Sequence, residues 1–127
     1  MEQTIEDEIQ NKGLTAPRVT PADIEGVIAT EHYFTAEQGH RQAMTDAVYG
    51  NGGIIESQHA NPAPQPLALV TICVLILRNG TKVVGVNEGP VSRENFDAEI
   101  GRRIARQKAV DQIWPMLGYE LRTKLAA

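Results

Sequence analysis

Sulfur, aromatic rings and positive charge are all scarce in this 127-residue chain. Its single cysteine, Cys73, rules out an internal disulfide. Cys73 lies in an apolar run, where a thiol acts as a small hydrophobe rather than a nucleophile. The histidines, His32, His40 and His59, lack the three- or four-residue spacing of a helical metal site, and no cysteine cluster joins them. Acidic residues outnumber basic ones 16 to 12, for a net charge of −4 and a pI near 5.3. Generic nucleic-acid binding needs a basic surface that releases counterions from phosphates, so DNA is not an expected partner. The longest apolar run, Pro66 to Leu77, is too short to span a bilayer and includes Thr71. Met1 to Lys12 is polar and acidic, unlike a signal peptide. These features set the expectation of a cytoplasmic protein with no membrane partner.

Catalytic signatures are missing as well. Gly50-Asn51-Gly52-Gly53 has neither the strand before it nor the Lys-Ser/Thr after it that a phosphate loop requires. Ser57 and Ser92 have no nucleophile-elbow context. The acidic run Glu6-Asp7-Glu8 reads as solubilising, and Asp97 and Glu99 suit the positive end of a helix dipole. No base, nucleophile and oxyanion donor can be assembled from these residues, so a non-enzyme without cofactor or metal is expected.

The chain does have an ordinary globular composition, with 42% apolar and 22% charged residues. Its length fits one domain with a modest core, which association with a second copy would help. Residues 1–19 read as a flexible arm with a helical turn around Ile5 to Ile9, and 20–127 as one α+β domain. Thr20 and Pro21 open a helix containing Ile24, Val27 and Ile28. Thr35 and Gln38 fit a capping box, which predicts a second helix from Ala36. Residues 50–66 read as a long, proline-rich loop. Leu69 to Leu77 predicts a strand apolar on both faces, and both faces should therefore be covered. Asn79-Gly80 predicts a hairpin turn with positive φ at both central positions, returning through Thr81 to Val86. Gly85 marks a bulge or a close backbone approach. Ser92 or Asn95 caps a long helix from about Phe96 to Ile113, and Pro115 stops or kinks it. A short tail, Leu117 to Leu125, adds a turn or two. The predicted fold is an antiparallel hairpin or small sheet packed by an N-terminal helix and a long C-terminal helix.

On the long helix, Phe96, Ile100 and Ile104 share one stripe, and Ala98, Ala105 and Ala109 share another. The bulky stripe is expected to face the sheet and the small stripe to admit a second helix from another copy. Arg102, Arg103 and Arg106 form a local basic patch on an acidic protein. Arginine's planar fork suits phosphate and carboxylate recognition, so these three with Asn95 are the candidate ligand residues. Set against this is a solvated face with intrahelical pairs such as Glu99 with Arg103. Tyr33, Phe34 and Phe96 are expected in the core, with Trp114 closing the helix end against the sheet. Tyr33 or Tyr49 could instead stack on a base.

Five stretches together carry a family resemblance. They are Thr20-Pro21-Ala22-Asp23-Ile24, Glu31-His32-Tyr33-Phe34-Thr35, Cys73 through Gly80, Glu94 through Gly101, and Ile113-Trp114-Pro115-Met116-Leu117-Gly118-Tyr119. Their order and spacing over residues 20–125 resemble the phage gene 49/gene 66 family of small tailed-phage proteins. Val86-Asn87-Glu88-Gly89-Pro90 departs from the Gly-Glu-Ser-Ala-Cys-like run expected after the second strand. The resemblance implies a phage or prophage product in a bacterial host and no particular activity. A more distant likeness is to phage proteins that counter Thoeris immunity by sequestering a cyclic ADP-ribose signal, which act as oligomers. The expected function is an accessory protein that binds a small, nucleotide-like anion without catalysis and counters host defence. The competing expectation is a protein–protein module acting on a host or phage protein. Self-association is expected under either.

Overall fold

The structure is a computed structural model and describes residues 4–50 and 64–127. Most of the loop expected at 50–66, and the Tyr49 side chain, lie outside the described residues.

The chain runs α1 (Ile5–Asn11), α2 (Pro21–Val27), β1 (Ile28–Thr35), α3 (Ala36–Gly50), β2 (Thr71–Leu77), β3 (Lys82–Asn87), α4 (Ala98–Asp111) and α5 (Ile113–Ala126). Single 3₁₀ turns at Gln65–Leu69 and Arg93–Asn95 precede β2 and α4. Two helix starts obey the predicted capping chemistry. Thr20 accepts from the Asp23 N–H while the Asp23 carboxylate accepts from the Thr20 N–H, and Pro21 occupies the first turn. Thr35 and Gln38 make the same reciprocal pair at α3. In the arm, Thr4 and Asp7 cap α1. That helix buries no residue of its own. Glu6 ties it to the end of the arm, two residues before the Thr20 cap of α2, by receiving both terminal nitrogens of Arg18 at 2.6 and 2.8 Å.

The strands form an antiparallel sheet in the order β1-β2-β3. β1 was not anticipated: its residues Ile-Ala-Thr-Glu-His-Tyr-Phe-Thr are mostly polar and exposed. Its strand state comes from pairing with β2, from Thr30 against Ile76 to Thr35 against Thr71. The hairpin turn also differs from expectation. Only Gly80 has positive φ, at 88°, and Asn79 does not. Gly80 N–H donates to the Leu77 carbonyl at 2.9 Å, and Leu77 N–H to the Thr81 carbonyl at 2.7 Å. This is a three-residue loop whose last residue is left-handed, a role glycine fills without a Cβ clash.

One sheet face carries the core. Cys73, Leu75, Leu77 and Val83 pack with Ile24, Ile28, Ala105, Ala109, Val110 and Ile113. Fully burying side chains such as Leu75, Ile24 and Ile113 stabilises the fold by about 1.5–3 kcal/mol each. The expectation of two covered faces is corrected. Ile72, Val74 and Ile76 point the other way and are only half-buried, and Val84 and Val86 beside them are exposed. Tyr33 and Phe34 are likewise exposed edge-strand residues rather than core.

The orientation of α4 reverses the prediction. Ala105, Ala109 and Gly101 face the sheet, while Ile100 and Ile104 point to solvent. The cause is the closeness of helix to sheet at Gly85. A Cβ there would overlap the Ala105 carbonyl and lie 2.5 Å from the Ala109 nitrogen. At that separation only small residues fit beneath the helix. The N-cap of α4 is Asp97, whose carboxylate accepts from Ile100 N–H at 2.9 Å; Ser92 and Asn95 lie upstream, at the preceding turn. α4 ends at Asp111 and α5 begins two residues later. Pro115 accounts for the break, because its ring clashes with the carbonyl four residues back, that of Asp111. Within α5 it sits in the first turn, where no N–H is needed. Ile113, fully buried, closes this corner; Trp114 is 37% exposed.

Candidate functional site

α4 crosses above β3 and β2, and 100° steps distribute its arginines in three directions. Arg106 points down to β1. Its Nε donates to Glu31 at 2.8 Å and its terminal nitrogens to Glu25 at 2.7 and 3.1 Å. Glu31 also accepts from the Tyr33 hydroxyl at 2.7 Å. The Arg106 guanidinium holds the Glu31 carboxyl below its usual range, with the Tyr33 hydroxyl adding to the effect. Burial and the Glu31 contact push the Tyr33 phenol up. Cys73, completely buried behind Tyr33, has its thiol raised by burial. Arg106 is therefore a clamp between α2, β1 and α4. Arg103 points outward and pairs with Glu99 at 3.2 Å. Asn95 is exposed in the turn before α4. The four candidate residues do not converge on one point.

Arg102 is placed differently. It lines a cleft of about 270 Å³ where the end of β1 meets the start of α4, together with Phe34, Phe96, Tyr33, Thr71 and Gln38. Arg102 makes no ion pair with any described residue. Thr71 is 3% exposed, the one buried polar residue among those described. No hydrogen bond joins its hydroxyl to another described side chain, and it sits under Gly101, where a Cβ would come within 2.9 Å. Buried hydroxyls are ordinarily hydrogen-bonded, and this one borders the cleft without a side-chain partner among the described residues. The arrangement sets Tyr33 and Phe96 beside a guanidinium fork that suits an anion, while the Phe34 ring turns to the other face of β1, against Gly39.

Phe34, Thr71 and Gln38 had not been singled out as ligand residues. Their signal in the sequence is weak, because it depends on recognising β1 and its register against β2. A larger groove of about 680 Å³ lies between the hairpin turn and α5, over Val27, Leu77, Met116 and Leu117. Its lysine, Lys124, is occupied by Glu120 at 3.2 Å, and Arg78 Nε by the Gly26 carbonyl at 2.6 Å. Among the described residues no group of three or more His, Cys, Asp or Glu could hold a metal ion, and no helix is long and apolar enough to cross a membrane.

No curated protein and no solved structure matches the chain. A family model does match, over residues 19–125, which takes in α2 through nearly all of α5 and thus the whole sheet and cleft. The chain belongs to the Phage protein (N4 Gp49/phage Sf6 gene 66) family.

Proposed function

We propose that this phage protein is a non-catalytic binder of a small, nucleotide-like anion, held in the Arg102 cleft, and that it counters host defence by withholding that ligand. The observation that carries the reading is the pairing, in one aromatic-walled cleft, of an arginine without an acidic partner and a buried hydroxyl without a hydrogen bond among the described residues. Binding of this kind needs charge-assisted hydrogen bonds and stacking, and no acid–base chemistry. The cleft volume, about 270 Å³, lies just below the usual range of ligand pockets, roughly 300–1,000 Å³, so it suits one base-sized ring with a phosphate rather than a polymer. Family membership supplies the phage setting.

Isothermal titration calorimetry against cyclic nucleotides and ADP-ribose derivatives tests the reading. A saturable exotherm is expected with at least one of them. Arg102→Ala should weaken it by about 10- to 100-fold, the loss of a charge-assisted contact worth about 1.5–3 kcal/mol. Arg103→Ala, on the outer face of α4, should leave it unchanged. No heat with any of these compounds at high protein concentration would remove the reading.

A further inference from the structure

The sheet has a second face, and among the described residues no helix lies across it. α4 covers β2 and β3 from one side only, where Cys73, Leu75 and Val83 meet Ala105 and Ala109. α3 turns off β1 at one corner, with the Phe34 ring beside Gly39, and packs chiefly on the 3₁₀ turn before β2. The face left open is apolar. Ile72, Val74 and Ile76 run down the middle strand, with Val86 and Val84 beside the first two and Phe34 at the corner. Val84 and Val86 are 47% and 43% exposed. An antiparallel sheet that keeps one face in water normally alternates apolar with polar residues. β2 does not: after Thr71 every residue to Leu77 is apolar, on both sides of the sheet. Polar groups on the open face are confined to the edge strands, at Thr30 and His32 of β1 and at Lys82 of β3.

Size and charge indicate what fits there. Strands of six to eight residues, set about 4.8 Å apart, make a face of roughly 15 by 20 Å. Two such faces in contact bury on the order of 1,000 Å² together, the threshold of a specific interface. Lys82 opens β3 and Glu88 follows its last residue, and both are exposed. Neither has an ion-pair partner among the described residues, and the Lys82 ammonium donates to its own turn, at the Gly80 carbonyl. A second copy turned over about a two-fold axis across the strands sets its Glu88 end of β3 above Lys82, and its Lys82 above Glu88. Turned about an axis along the strands, it would set Lys82 above Thr30 and close neither pair.

We infer that the open face is covered by the same face of a second copy, the two sheets packing about 10 Å apart as a sandwich with β3 over β3. Val84 lies beside the axis and meets its own counterpart, and a Lys82–Glu88 pair closes at each end of β3. The interface is isologous and closes at two subunits. Each α4 stays on the outer side of its sheet, so the two helices never approach. Arg102, on the α4 side, remains outside the interface, and the inference stands or falls separately from the ligand reading.

Sedimentation equilibrium of the whole chain up to high micromolar concentration tests it. The wild type is expected to be dimeric. Val84→Glu brings two carboxylates together at the axis and should give a folded monomer, since the side chain is half-exposed in the single chain. Lys82→Glu opposes like charges at both ends of β3 and should weaken dimerisation by about tenfold. Adding Glu88→Lys to Lys82→Glu should restore it, which decides the matter even if Val84→Glu fails to fold. A wild type that stays monomeric, leaving the face to a different protein, overturns the inference. So does a dimer whose strength ignores both the charge reversal and its rescue.

Discussion

At Gly85 the sheet offers α4 a bare backbone, and the helix seats Ala105 and Ala109 directly on it. Gly85→Ala must push backbone against backbone, which no rotamer change relieves. The substitution should destabilise the protein by about 3 kcal/mol, the upper part of the overpacking range, measured by urea unfolding. A loss below about 1 kcal/mol would mean that α4 can slide away freely. The close approach at Gly85 was legible in the sequence, because a glycine inside a β-branched run has few other reasons to be there. Which stripe of α4 makes that approach was not. Hydrophobicity alone favours Ile100 and Ile104 for the core, while the tight seat admits only Ala105, Ala109 and Gly101. The candidate arginines show the same limit. Their clustering was readable, but Arg106 is claimed by Glu25 and Glu31, carboxylates 81 and 75 residues away in sequence.

Among the elements, those with strong local chemistry were readable. The cap at Thr20, the capping box at Thr35, the Asn79-Gly80 hairpin and the break before Pro115 all act through neighbours in sequence. β1 was not readable, since its exposed polar residues become a strand only through the β2 ladder. α1 is held by the Glu6–Arg18 pair among the described residues, and this attachment should depend on pH. The Glu6 carboxyl is lowered from 4.5 to about 2, chiefly by the Arg18 hydrogen bonds and then by that from Gln10. A carboxyl lowered in the folded state contributes fully above its ordinary value, and the contribution fades as pH falls through the folded one. The α1 tether should therefore hold at neutral pH and loosen between pH 4.5 and about 2. Amide order parameters for residues 5–11 should fall across that window in the wild type. In Arg18→Gln they should be low throughout; α1 amides as rigid in that variant as in the wild type would show another attachment.

For the whole molecule, the α+β class and the covering of the sheet by the C-terminal helix follow from pattern. The cleft does not, because it is assembled from the end of β1, the start of β2 and the first turns of α4. Three separate stretches must be folded before Arg102, Phe34 and Thr71 become neighbours. The most direct measurement is a nitrogen–proton chemical-shift titration of the wild-type protein with ADP-ribose and cyclic nucleotides. Saturable shifts confined to residues 33–35, 71 and 96–102 are the expected result. Shifts gathered instead around Met116, Tyr119 and the hairpin turn, or none with any of these ligands, would contradict the account.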